Sequence, residues 1–479
     1  MSLGSVKTFV LSSTHWYYLL TNALIVELSL FETVIPKPIN RVSRRRLRVC
    51  SECDLLLALP PLKTGEKAEC PRCKHTLVRR QSNPAERSLA LAVATLIALA
   101  LSVAFPFLSF NISGIGNRIE LTETASTLIS LHQPLVALSV LLTVIILPTV
   151  YLLSLLWLCI GITRGKPLPN SQLIARTLGY VTPWMMADVF VIGTLVSLIK
   201  IVGMADIELG LSFWTFCTYA LLLLLTTQSI DRDWLWLALN SAPKAPNSVQ
   251  IGQSASAQGL AGCHTCGLVN RLSEATCTVR KHPYRCLRCN EPLHPFNTIN
   301  NQTTLALLAA AAIMYFPANL YPIMITTSLG DSQASTILGG VLLFFKNGDW
   351  PIAIIILTAS IIVPVSKMLA LLWLCYIVKQ PASALSPLAR VRLYRITEFI
   401  GRWSMVDVFV VAILVALIRN GSLMSVEPGA GALSFTVVVV LTMLAAIMFD
   451  PRAIWLSART TTVNSSSLHT SLSKEDPHV

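Results

Sequence analysis

Eight stretches of about 20 mostly apolar residues constrain this chain more than anything else in it, because that is the length a helix needs to cross the hydrocarbon core of a bilayer. They lie at roughly 88–109, 134–160, 184–202, 211–230, 303–324, 351–378, 401–418 and 433–449. Backbone polar groups in lipid are satisfied only within helices or closed barrels, and continuous runs of this length are helical. Charged residues make up 13% of the chain and apolar residues 53%, whereas a soluble domain carries about a quarter charged residues. The expectation is an integral membrane protein with eight spans.

The spans are not independent. Trp184-Met-Met-Ala-Asp188-Val-Phe-Val191 answers Trp403-Ser-Met-Val-Asp407-Val-Phe-Val410, 219 residues later. The same offset relates Lys200 to Arg419, Asp231 to Asp450 and Trp236 to Trp455. Upstream, with small insertions, Phe105-Pro106, Pro148 and Trp157-Leu-Cys159 match Phe316-Pro317, Pro364 and Trp373-Leu-Cys375. A fixed internal period means a duplicated unit. The predicted fold class is therefore an all-α integral membrane protein built from two tandem repeats of four transmembrane helices. Each repeat is preceded by a small zinc-ribbon module of short β-strands. The organisation reads as an N-terminal extension (1–49), ribbon 1 (50–82), a first four-helix domain (83–236), a linker (237–262), ribbon 2 (263–296), a second four-helix domain (297–456) and a polar tail (457–479).

The ribbons are read from cysteine spacing. Cys50-Ser-Glu-Cys53 and Cys70-Pro-Arg-Cys73 are separated by 16 residues, and Cys263-His-Thr-Cys266 and Cys286-Leu-Arg-Cys289 by 19. Two Cys-x-x-Cys knuckles at such a separation bring four thiolates to one tetrahedral zinc. Structural zinc is the expected cofactor, one ion per ribbon. A thioredoxin-like redox pair needs a strand-to-helix context that these short segments lack, and tethering to the spans argues against nucleic-acid binding despite the net charge of +13. His75, His264, His282 and Cys277 are not needed as ligands, and Cys159, Cys217 and Cys375 read as small apolar fillers inside spans.

Positive residues set orientation. The connection after span two carries Arg164, Lys166 and Arg176, and its counterpart carries Lys379, Arg390, Arg392, Arg395 and Arg402. The other side has mainly Arg118, Lys200, Lys346 and Arg419, each alone. Both termini and both ribbons are thus expected in the cytoplasm, whose reducing environment suits thiolate ligands. The stretch Thr8–Val26 is uncharged but carries Ser12, Ser13, His15 and Asn22. It reads as an extension rather than a ninth span or a signal peptide. The run Arg44-Arg45-Arg46 with Arg48 reads as a topology-setting feature, with anionic-lipid contact as the alternative.

Inside the spans, Pro148 and Pro364 are expected to kink their helices. Asp188 and Asp407 lie about 8 Å inside their spans, counted at 1.5 Å per residue, and Lys367 lies near mid-membrane. An intramembrane charge is a functional candidate by default, and it costs at least about 2.5–3.5 kcal/mol unless paired or solvated. Asp407 is the expected partner of Lys367, and Ser360, Ser366, Ser404 and Thr442 are expected to complete a polar network around it. The alternative for the two aspartates is structural, since a helix N-terminus favours an anion. The position of Lys367 is held by Tyr151 in the first half, so the second half is expected to hold the working site.

Taken together, the duplicated paired-cysteine ribbon, the segment Phe316–Met324, Pro364-Val-Ser-Lys367 with Trp373-Leu-Cys375, the repeated Trp-x-x-x-Asp-Val-Phe-Val run and Asp450-Pro-Arg452 resemble the paraquat-inducible protein A family. The likeness runs from Cys50 to Trp455 and leaves out the N-terminal extension. It implies a multi-pass protein of a bacterial cell inner membrane that passes phospholipids to or from a periplasmic tunnel formed by an MCE-domain partner. Such transfer needs no enzyme chemistry, and the chain carries no phosphate-binding loop, nucleophile elbow or haem attachment motif. A proton-coupled exporter of small amphiphilic compounds, using the same charges as a relay, is the competing expectation.

Overall fold

A computed structural model describes residues 47–455 apart from 113–114, 120–125, 127, 130–132, 166–167, 202–205, 241–248, 273–283, 294–298, 329–330, 347, 349, 380–385 and 418–423. The Arg44–Arg46 run, Lys166, Cys277, His282, Arg419 and the C-terminal tail lie outside the described residues. Among the described residues, eight helical stretches are long and apolar enough to cross a membrane, as the apolar runs predict.

Residues 47–79 form two small hairpins, β1 (Leu47–Val49) with β2 (Leu56–Ala58) and β3 (Lys67–Glu69) with β4 (Thr76–Arg79). The first span is α1 (Pro84–Ala104), opened by a proline whose fixed φ and missing N–H suit the first helical position. It leads into the hairpin β5 (Leu108–Ile112) and β6 (Ile115–Ile119). The second span comprises α2 (Pro134–Leu141) and α3 (Leu147–Thr163), joined by a π-helical turn at Leu142–Ile146. Pro148 explains that turn: it cannot donate to the carbonyl four residues back, and the freed Val144 oxygen accepts instead from the Tyr219 hydroxyl at 3.1 Å.

The third span is broken. A ribbon-side helix α4 (Ser171–Val181) ends in a tight turn at Thr182–Trp184, Met185 is extended, and α5 (Ala187–Ile201) continues across. Strand β7 (Asp206–Leu209) then joins the hairpin in the order β6-β5-β7 before α6 (Leu211–Ser229) returns and the short α7 (Arg232–Leu239) follows. The second part of the chain runs β8 (Leu260–Gly262), β9 (Val269–Arg271), α8 (Ile299–Leu320), β10 (Met324–Ser328), β11 (Asp331–Ser335), α9 (Ile337–Lys346), α10 (Trp350–Leu357), α11 (Val363–Lys379), α12 (Pro387–Trp403), α13 (Val406–Leu417), β12 (Met424–Pro428) and α14 (Ala430–Met448), in which α9 is a short helix ahead of the sixth span. A π turn at Thr358–Ile362 again lies just ahead of the proline, here Pro364, and the seventh span breaks between α12 and α13.

Two features depart from the expected all-α fold and its span bounds. Each part carries a three-stranded antiparallel sheet, β6-β5-β7 and β11-β10-β12, at the end of the helices opposite the ribbons. Its strands are four or five residues of mixed character in loops between long apolar runs, which hide them from a reading tuned to spans. Glycine makes the junction possible: Gly210 and Gly429 open the fourth and eighth spans against the Pro106 and Pro322 carbonyls, where a Cβ would collide with backbone. The second correction is that spans three and seven start earlier than the apolar pattern indicates, because α4 and α12 are amphipathic extensions on the ribbon side.

Within each part the first span packs along the fourth, α1 on α6 and α8 on α14. The two parts meet through α5 and α13, which carry the two copies of the repeated motif. Gly193 lets these backbones approach, since its Cβ would stand 3.0 Å from the Phe409 Cβ. The Phe190 and Phe409 rings then pack edge to face with centroids 5.4 Å apart.

Candidate functional site

Each cysteine quartet converges on one point. Cys50, Cys53, Cys70 and Cys73 have sulfurs within 4.8 Å of one another, as do Cys263, Cys266, Cys286 and Cys289; all eight are buried and none is in a disulfide. The contacts Cys50–Cys73, Cys53–Cys70, Cys263–Cys289 and Cys266–Cys286 measure 3.4–3.5 Å. Four thiolates at about 2.3 Å from a central ion stand about 3.8 Å apart, so the quartets have the size and shape of tetrahedral metal centres. In the second quartet Asn270 is buried, with Nδ2 donating to the Cys286 sulfur at 3.6 Å while Oδ1 accepts from the Leu287 N–H at 3.1 Å. Such outer contacts fix ligand orientation. Asn270 carries no spacing signal that would single it out in sequence.

The ribbons are crossed over the helices. The first ribbon docks on the second set of spans: Arg395 of α12 forms a two-armed ion pair with Glu52 and donates to the Cys73 carbonyl at 2.8 Å. Trp455 packs beside the same quartet, with Arg72 over its ring. The second ribbon docks on the first set: Arg176 and Tyr180 of α4 both engage Glu291, and the Asn240 amide donates to the Arg288 carbonyl at 3.3 Å. Arg176 and Arg395 are 219 residues apart, the offset of the repeated motif. Burial pushes the Glu52 carboxyl up, but hydrogen bonds from His75 and Arg395 outweigh it and hold it down at about 2. The pair is therefore ionised at any neutral pH.

The first ribbon also holds the segment that leads into the second. Asp54 accepts from the Ser254 hydroxyl and the Ser256 N–H, each at 2.9 Å, and from the Ser256 hydroxyl at 2.5 Å. Leu56 exchanges backbone hydrogen bonds with Gln253 and Gly252. Arg48 pairs with Asp233 of α7 and donates to the Cys266 carbonyl at 3.2 Å, so one side chain joins both ribbons and the first set of spans.

Lys367 is 2% exposed, on α11 one turn past the π segment. Its ammonium donates to Thr442 Oγ1 at 3.3 Å and lies against Gly401 of α12, where an added Cβ would stand 2.9 Å from Nζ. Among the described residues Thr442 is its hydrogen-bonding partner, and no ion pair joins it to Asp407. The expected network is accordingly smaller than the polar inventory. Ser366 is exposed and bonds the Val363 carbonyl of its own helix. Ser360 is buried within the π turn. Ser404, 1% exposed, sits at the break between α12 and α13 with no hydrogen-bond partner for its Oγ among the described residues. Asp407 is buried in the first turn of α13, and Asp188 is half-buried at the matching place in α5. Gly401 is the residue sequence reasoning missed, because a glycine among helix formers carries no chemistry until its neighbour is known.

These features can be set beside known proteins. The sequence profile described as "Paraquat-inducible protein A" matches residues 85–240 and 301–459. The intermembrane transport protein PqiA of Escherichia coli is 39% identical over 408 residues, covering 85% of this chain and 95% of the relative. A probable intermembrane transport protein of Haemophilus influenzae is 29% identical, with 85% and 95% covered. The lipophilic envelope-spanning tunnel protein A of E. coli is 26% identical, with 85% and 90% covered. No solved structure matches the chain. On this extent of likeness, with eight apolar helices and two buried cysteine quartets, the chain belongs to the paraquat-inducible protein A family.

Proposed function

We propose that this chain is the inner-membrane component of an MCE-type lipid transport system, passing phospholipid-like molecules between the inner membrane and a periplasmic tunnel-forming partner. The names of its relatives, two intermembrane transport proteins and one envelope-spanning tunnel protein, support the transport side of this reading. In it the two four-helix parts are a duplicated unit, and the cysteine quartets hold structural zinc. The ribbons and termini face the cytoplasm, where basic loops and reduced thiols belong. The two sheets face the periplasm, where the partner docks.

One observation carries the assignment of the working site: the buried ammonium of Lys367 has a single hydroxyl partner among the described residues. An ammonium has three N–H donors, and a mid-span charge costs at least about 2.5–3.5 kcal/mol when it is neither paired nor solvated. An anionic lipid headgroup, or a water-filled path leading to it, would satisfy the remaining donors. Ser404, at the break that ends α12, and Asp407, in the first turn of α13, follow Gly401 in the chain and are the further polar groups of the proposed lining. The activity is binding and transfer, without a covalent step.

The test is a lipid-barrier assay in cells expressing Lys367→Ala, Thr442→Val or Asp407→Asn at normal protein levels. The proposal expects Lys367→Ala to abolish function and Thr442→Val to weaken it. Full function in Lys367→Ala and Asp407→Asn together would overturn it. Transport of small amphiphiles by the purified chain alone would instead favour the proton-coupled exporter.

A further inference from the structure

Taking Lys367 as the working group, as proposed above, we infer that Arg395 is a positioning residue that makes the Lys367 site depend on the metal-holding fold of the first ribbon. Three observations carry this. Arg395 grips the first quartet from α12, through Glu52, which lies between Cys50 and Cys53, and through the carbonyl of Cys73 itself. Six residues later on the same helix, about 9 Å along its axis, Gly401 forms the wall against which the Lys367 ammonium rests. Just beyond Gly401 the helix stops: α12 ends at Trp403, and α13 starts afresh at Val406.

The break matters because α13 is locked to α5 across the centre of the molecule, whereas α12 is not continuous with it. What fixes α12 is its packing on α11, the Tyr394 contacts to the end of α14 (hydroxyl to the Ala446 carbonyl at 3.3 Å, ring centroid 5.3 Å from Phe449), and the first ribbon. A quartet that loses its ion has no reason to keep the Cys73 carbonyl and Glu52 where Arg395 needs them, since small modules of this type are folded by their metal. The α12 rod then loses one of its three supports and with it the fixed position of Gly401 against Lys367.

The first half supplies an internal control. Arg176 ties the second ribbon to α4 in the same way. There, however, the position of Lys367 is held by Tyr151 and that of Gly401 by Thr182. The linkage is thus built twice, and a charge sits at the end of only one.

Coupling between two sites is reciprocal, so the experiment reads both ends on the full-length protein in detergent. With Arg395→Ala, one of two bound zinc ions should be lost to a competing chelator at about 10–100-fold lower chelator concentration, the usual cost of deleting an outer-shell partner. In the same variant, amide exchange across 395–403 should speed up at least about tenfold. Arg176→Ala should leave exchange in 395–403 unchanged, while Arg395→Lys, which keeps the charge but cannot grip with two arms, should fall between. Unaltered zinc retention and exchange in Arg395→Ala would overturn the inference, as would an equal effect on α12 from Arg176→Ala. The outcome is separable from the assignment of Lys367: a lipid assay indifferent to Lys367→Ala removes the functional reading and leaves these measurements standing.

Discussion

Substituting Gly401 by alanine tests the geometry at Lys367 through a change of sign. In a helix interior, glycine to alanine ordinarily stabilises by roughly 0.5–1 kcal/mol, because alanine loses less backbone entropy. Here the new methyl would stand 2.9 Å from Nζ and 3.0 Å from Cε of Lys367. The lysine tip must move, and its 3.3 Å bond to Thr442 goes with it. A hydrogen bond from a charged donor contributes about 1.5–3 kcal/mol, so the net effect of Gly401→Ala is a loss of about 0.5–2.5 kcal/mol. In a Lys367→Ala background the obstacle is absent, and the same substitution should stabilise by about 0.5–1 kcal/mol. Equilibrium unfolding in mixed micelles across the four combinations reads the coupling directly. An effect of Gly401→Ala with the same sign and size in both backgrounds would mean that the new methyl does not meet Lys367.

Other outcomes follow from single contacts. Tyr219→Phe leaves the Val144 carbonyl without the donor that replaces the missing Pro148 N–H, and should cost about 0.5–1.5 kcal/mol of stability; adding Pro148→Ala, which restores a helical donor, should recover most of it. Gly193→Val forces α5 away from Phe409 and should destabilise by about 1–3 kcal/mol, read as earlier separation of the two halves in limited proteolysis. Asp54→Ala removes the acceptor of three hydrogen bonds between the first ribbon and the segment leading into the second, and should raise amide exchange in 250–258 while both metal ions stay bound. Cys53→Ser should halve the metal content measured by elemental mass spectrometry, leaving the second quartet loaded.

Much of this architecture is legible in the chain. Apolar length alone gives the eight spans, and Cys-x-x-Cys spacing gives both quartets, because each signal is local. The 219-residue offset pairs Arg176 with Arg395, but nothing in it says that each arginine reaches the ribbon of the opposite half. That contact depends on how the helices cross, which sequence periodicity does not encode. The two sheets are not legible in it, because strands as short as Leu108–Ile112 carry too few residues to show an alternating pattern between 20-residue apolar runs. Lys367 and Thr442, both polar residues inside spans, meet, whereas Ser366 turns outward to its own backbone. Position along a helix gives depth, and only the rotation of the helix against its neighbours decides which polar groups face one another.

Protein and lipid mass spectrometry on affinity-tagged protein, taken from native membranes after mild crosslinking, shows whether the chain hands lipid to a tunnel-forming partner, as proposed. A co-purifying MCE-domain protein and bound phospholipid are expected, with the lipid depleted in Lys367→Ala. Recovery of the chain alone, with no lipid above the level of an unrelated multi-pass protein, would contradict the proposal.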